Sequence, residues 1–182
     1  QDRDQSYDTL NTSPSPSLVA TLFPTVQSPY CPVQMMGLSN DWTALNTLVD
    51  QMTPTGFTNQ AIGLAWAWQA LSPGPPMNAP VKGPDVQKII ILLTDGLNTQ
   101  NRWYADQASI DARQKILCSN VKAGGITLYT IQVNIGNMDK LSTMLQECAS
   151  KPEYFYHLTT AGEIATVFNQ IGTNMSQLRL AK

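Results

Sequence analysis

From Val33 onward the apolar residues fall into runs of two kinds. Short unbroken runs read as strands, and runs spaced three and four apart read as helices. Val33–Leu38 predicts a short strand, after which Ser39, Asn40 and Asp41 offer N-caps. The helix they would open carries Trp42, Leu45, Leu48, Val49 and Met52 on one stripe and stops at Pro54 and Gly56. A second helix is expected from Thr58 or Asn59. Ile62, Ala65, Trp66 and Gln69 trace one face, and Trp68 and Leu71 lie beside it. The Trp42, Trp66 and Trp68 side chains are thereby assigned to packing rather than to ligand stacking. Residues 72–85 are rich in Pro and Gly and read as a surface loop.

The strongest signal is Lys88–Gly96, a continuous β-branched apolar run ending in Thr94-Asp95-Gly96. Such a run predicts a central parallel strand covered on both faces. A long helix follows over 104–123, with Ala108, Ala112, Ile116 and Val121 as inward candidates and Gly124-Gly125 as its stop. Ile126–Val133 is another strand, Asp139 can open a helix holding Leu141, Met144, Leu145 and Cys148, and Tyr154–His157 is a short strand. Thr160-Ala161-Gly162-Glu163 is a capping box. It opens a final helix lined by Ile164, Val167, Phe168, Ile171, Met175 and Leu178.

This alternation implies an α/β fold, a doubly wound and mainly parallel sheet with helices on both faces. Ligands in such sheets sit beyond the carboxyl ends of the strands, and Asp95 falls at that edge. Residues 1–32 stand apart. Their Ser-Pro repeats, with Pro24, Pro29 and Pro32, predict an irregular loop or partly mobile segment ahead of a domain over 33–182.

Composition narrows the function. The 182 residues are 42% hydrophobic and 13% charged, enough apolar material for a core and too little charge for a disordered tail. A net charge of −2 with no basic block lacks the footprint of a nucleic-acid binder. The longest apolar run, Ile89–Leu93, is far short of a bilayer span. Cys31, Cys118 and Cys148 form no C-x-x-C pair, which argues against a thiolate zinc site. Cys118 and Cys148 both fall late on predicted helices, where either a disulfide or buried thiols would fit. Enzyme readings find little support. Ser119–Lys122 fits Ser-x-x-Lys but lies in the body of a predicted helix without its companion motifs. His157 is the only histidine, and no phosphate-binding glycine loop occurs.

Three pieces resemble a known family: Gly56–Leu64, Ile89–Gly96 and the Phe155–Ile171 strand and helix. Together they look like the second half of a von Willebrand factor A-type (VWA) domain, so the sheet here is expected to lack its N-terminal strands. Members carry a metal-ion-dependent adhesion site (MIDAS) built from Asp-x-Ser-x-Ser, a Thr in a Gly-x-Thr loop, and the Asp of Thr-Asp-Gly. Thr58 matches the second motif and Asp95 the third, while no Asp-x-Ser-x-Ser occurs in the chain. The resemblance therefore implies an incomplete site for Mg²⁺ or another divalent cation, empty or weak in this chain alone. It also implies a partner-facing rim over 53–60 and 95–104, including Asn59, Asn98, Arg102 and Trp103. A hard cation held by hydroxyls and few carboxylates would accept a partner's carboxylate.

A narrower similarity is to bacterial TadG-type proteins. It is carried by Leu38–Trp42, Asn59–Trp66, Leu117–Lys122, Tyr129–Val133 and Phe168–Asn174. It implies a binding or assembly role, not catalysis, in a Tad (tight adherence, Flp-type) pilus system, with other pilus-assembly or surface proteins as partners. It implies a periplasm-facing domain in the bacterial cell envelope, tethered to the inner membrane by an anchor upstream of Gln1. An oxidising periplasm would favour a Cys118–Cys148 disulfide and let Cys31 pair with a cysteine outside the chain.

Overall fold

The computed structural model describes residues 3–24 and 31–180, with side chains to residue 176. Pro29 and the expected inward side chain of Leu178 lie outside that description. The elements are α1 (Trp42–Asp50), α2 (Gln60–Ala70), β1 (Lys88–Thr94), α3 (Gln107–Ala123), β2 (Ile126–Val133), α4 (Thr143–Cys148), β3 (Phe155–Leu158) and α5 (Glu163–Leu180).

The helix starts follow local chemistry. Asp41, Asp106 and Ser142 each accept a hydrogen bond from an N–H in the first turn of α1, α3 and α4, satisfying donors the helix cannot. At α5 the Glu163 carboxylate accepts from the N–H groups of Thr159 and Thr160. The expected strand at Val33–Leu38 does not form; the segment is irregular and pairs with no strand. Its alternation is weak, and Gly37 interrupts it.

The sheet has three parallel strands in the order β1-β2-β3. β2 is therefore the central strand, and β1, expected there from its composition, has one edge paired and, among the described residues, one open. Its apolar run is explained by its two covered faces. Ile90 and Leu92 pack with Ala61, Leu64, Leu117 and Cys118 beneath α2, α3 and α4. Ile89 and Ile91 turn the other way, toward Tyr129, Ile131, Val167 and Ile171 under α5. Helices on both faces of a parallel sheet make the fold doubly wound, and the open edge of β1 gives the sheet of a partial domain.

Exposed apolar side chains mark where cover is missing. Leu93, on the α5 face of β1, is 41% exposed, and Phe168 of α5, expected inward, is equally exposed. No residue of α1 is buried, and Trp42, expected to pack, is 74% exposed. Beside the open edge runs a groove of about 760 Å³ between residues 32–38, α2 and β1, lined by Val33, Met36, Ile62, Trp66, Ile89 and Ile91.

Cys118 and Cys148 join α3 to α4 as a disulfide, with Cα atoms 5.1 Å apart and both residues buried. Residues 3–24 hold one short 3-10 turn, Val19–Thr21, and are otherwise irregular, yet they are fastened down. Arg3 is 2% exposed and donates to the carbonyls of Tyr7, Leu10, Thr12 and Thr21. Its guanidinium lies 4.8 Å over the Phe23 ring. Asp8 pairs with Arg113, and Asn120 donates to the Thr9 carbonyl, so this strap docks on α3.

Candidate functional site

The parallel register sets Thr94 beside Gln132, so the residues after β1 and β2 emerge at one edge of the sheet. Asp95 is exposed there, the first residue past β1. Thr58 comes from a different part of the chain and is brought to the same edge by hydrogen bonds. Its N–H donates to Thr99 Oγ1 at 2.8 Å, and its carbonyl accepts from the Thr99 N–H at 2.9 Å. The N-cap of α2 is Asn59, so the Thr58 hydroxyl is not used as a helix cap. Among the described residues, neither that hydroxyl nor the Asp95 carboxylate has a hydrogen-bond or ion-pair partner.

One hydroxyl and one carboxylate on adjoining loops suit a hard cation, which takes oxygen ligands and keeps waters. They would fill two of about six positions. Among the described residues no three His, Cys, Asp or Glu side chains gather closely enough to hold a metal ion. The donor chemistry fits a divalent cation.

The four expected rim residues separate. Arg102 and Trp103 are at the surface, with the guanidinium 4.9 Å over the indole and Trp103 40% exposed. Their loop is ordered: Asn101 Oδ1 accepts from the N–H groups of Trp103 and Tyr104, and the Trp103 indole N–H reaches the Arg3 carbonyl at 3.4 Å. Asn59 is half-buried and lines the groove at the open edge. Both polar atoms of its side chain are buried without a partner among the described residues. Asn98 corrects the expectation of a rim contact, because it is 2% exposed and its amide is fully engaged inside the protein.

That engagement reveals residues the sequence reading passed over. Asn98 Oδ1 accepts from the Gln60 N–H at 2.9 Å, and Asn98 Nδ2 donates to Gln114 Oε1 at 2.7 Å and Asp111 Oδ1 at 2.8 Å. Gln114 Nε2 donates to Gln60 Oε1 at 3.2 Å, and Gln60 Nε2 donates to the Gly96 carbonyl at 2.9 Å. The inward face of α3 is Ile110, Gln114, Leu117, Cys118 and Val121, whereas Ala108 and Ala112 are exposed and Ile116 is 45% exposed. A fully buried Gln amid that apolar stripe is the signal that would have located the network. A reading that ranks positions by hydrophobicity skips it. His157, the only histidine of the chain, is exposed and lies 3.3 Å from Asn134 Nδ2.

No curated protein matches the chain. Among solved structures, proximal thread matrix protein 1 (PTMP1) from the mussel byssus, in crystal form 2, is 22% identical with a TM-score of 0.48. The match covers 76% of this chain and 28% of that one. The family described as von Willebrand factor type A domain matches residues 36–170, most of the chain. The chain belongs to the von Willebrand factor type A domain family.

Proposed function

We propose that this domain binds protein partners at the carboxyl edge of its sheet, through a divalent cation to which Thr58 and Asp95 contribute. Domains of this family are in general non-catalytic modules for protein interaction and adhesion. The observation that carries the reading is the tie between Thr58 and Thr99, which sets an unspent hydroxyl and an unspent carboxylate on two joined loops. The cation would supply a Lewis-acidic point for a partner's carboxylate. The remaining protein ligands would arrive on a strand pairing with the open edge of β1, and the rim would be Arg102 and Trp103.

The same reading places the domain in a bacterial Tad pilus-assembly protein, facing the periplasm on a membrane-anchored chain. Support comes from the TadG-like segments Leu38–Trp42, Asn59–Trp66 and Phe168–Asn174. The Cys118–Cys148 disulfide suits an oxidising compartment. Among the described residues no helix is long and apolar enough to cross a membrane, so the tether lies elsewhere in this proposal.

A second reading has one observation in its favour, the absence of a three-residue acidic, His or Cys cluster among the described residues. There the edge holds partners by surface contacts alone. Titration of Mn²⁺ into the intact protein, with Asp95→Ala and Thr58→Ala beside it, separates the two. Loss of binding in both variants, with partner capture abolished by EDTA, is expected. Equal Mn²⁺ affinity in wild type and variants would leave the metal-free reading.

A further inference from the structure

The loops bearing Thr58 and Asp95 are separated in sequence, and their relative placement has to be fixed by something. Two layers of contact do this. At the surface, Thr58 and Thr99 exchange backbone and hydroxyl hydrogen bonds. Below them, Gln60, Asn98 and Gln114 close a ring in which each side-chain amide bonds to the next residue round. All three are buried, at 7%, 2% and 0% exposure.

We propose that this ring is the positioning device of the candidate cation site, holding Gly96, and through it Asp95, at a fixed offset from Thr58. The inference rests on the cation reading above. Its physical basis is the direction of each bond. Gln60 is two residues past Thr58, and its Nε2 holds the Gly96 carbonyl one residue past Asp95. Its backbone N–H is held by Asn98 Oδ1, two residues beyond Gly96. The Gln60 side chain is itself oriented by Gln114 from α3, and Asn98 by Gln114 and Asp111. A rotation of either loop would leave several buried amide groups unpaired, and in a low-dielectric interior that is costly. Outer groups that orient ligands typically alter metal affinity by about 10–100-fold when removed.

The ring can be taken apart without destroying the core. Gln114→Met strands Gln60 Oε1 and is expected to destabilise the protein. Gln60→Met with Gln114→Met removes both partners of that bond. It removes the stranded Gln60 Oε1, while Asn98 Nδ2 keeps Asp111 and the Gly96 carbonyl keeps the Thr94 hydroxyl, so most of the stability is recovered, because replacing both partners of a bond can be nearly neutral. The double variant still lacks the Gln60 donor to the Gly96 carbonyl, which keeps only the Thr94 hydroxyl at 3.1 Å. A role in folding alone predicts that Mn²⁺ affinity recovers with stability; a positioning role predicts that it does not.

The experiment is Mn²⁺ titration of the intact protein, followed by electron paramagnetic resonance, with urea unfolding and amide exchange at residues 96–99 measured on the same samples. The expected result for the double variant is near-wild-type unfolding, faster exchange at 96–99, and Mn²⁺ affinity lower by tenfold or more. Wild-type affinity in the double variant, with Asp95→Ala abolishing binding, would overturn the positioning role and leave the cation site standing. Unchanged affinity in Asp95→Ala would instead overturn the cation reading and, with it, the positioning proposal.

Discussion

Replacing Arg3 by Met is expected to loosen the whole strap of residues 3–24. The side chain is 2% exposed and its guanidinium supplies hydrogen bonds to four carbonyls. The bond to Thr21 is buried, and a charge-assisted bond of that kind contributes about 1.5–3 kcal/mol. The bonds to Tyr7, Leu10 and Thr12 are part-buried, so water can replace the donor and each is counted at about 0.5 kcal/mol. The total is about 3–4.5 kcal/mol, with the Phe23 cation–π contact adding about 0.5–1 kcal/mol more. Burial pushes the Arg3 pKa down, partly countered by Asp8, but a guanidinium stays charged through the working range. Arg3→Lys should recover less than half of the loss, because an ammonium is a point charge and cannot span the fork. Urea unfolding gives the magnitude, and native-state exchange of residues 3–24 gives the location. A loss within about 0.5 kcal/mol of zero, with unchanged protection of the strap, would refute the reasoning.

Three further outcomes follow from the same contacts. Cys118→Ser with Cys148→Ser opens a 30-residue separation and should lower stability by about 3.6 kcal/mol in the chain-entropy model, read by urea unfolding under non-reducing conditions. The Glu163 carboxyl is held below its ordinary value of 4.5 by the Thr160 N–H and then the Thr159 N–H. Because the folded pKa is the lower one, its contribution to α5 is complete above 4.5 and is lost as pH falls through the folded value. Glu163→Gln should remove that part of the acid dependence, measured by amide exchange at Thr159 and Thr160 against pH. Asn101 Oδ1 accepts two N–H groups, while its Nδ2 is buried and unpaired among the described residues. Asn101→Ala should cost about 1 kcal/mol and mobilise Trp103, visible as a red-shifted, less anisotropic indole fluorescence.

Much of the fold was legible because it depends on local rules. The Asp41 cap, the Glu163 half of the capping box and the β1, β2 and β3 runs all lie within a few residues of the chemistry that makes them. The order of elements then left few topologies, and the parallel sheet with two covered faces followed. Asp95 was placed at the ligand edge for the same reason.

What the sequence could not specify depends on distant neighbours. An apolar run such as Ile89–Leu93 records that both faces of a strand are buried, and says nothing about whether its two edges are paired; only the sheet order put β2 in the centre. Trp42 has the spacing of a core residue, but spacing cannot supply the surface it would pack against. The strap carries no periodicity, because its order comes from one arginine reaching four carbonyls and from Asp8 meeting Arg113 far along the chain. Asn98 was expected at the surface because the resemblance put the 95–104 loop on the rim, and it is buried because Gln60 and Gln114 satisfy it. The sequence alone determined the fold class and most of the elements, since these follow from short-range pattern, and its resemblance to the family named the two candidate ligands. Tertiary structure alone decided which edge is open, which polar groups are buried and how the Thr58 loop is tied to Thr99, since each of these is a pairing between residues the chain keeps far apart.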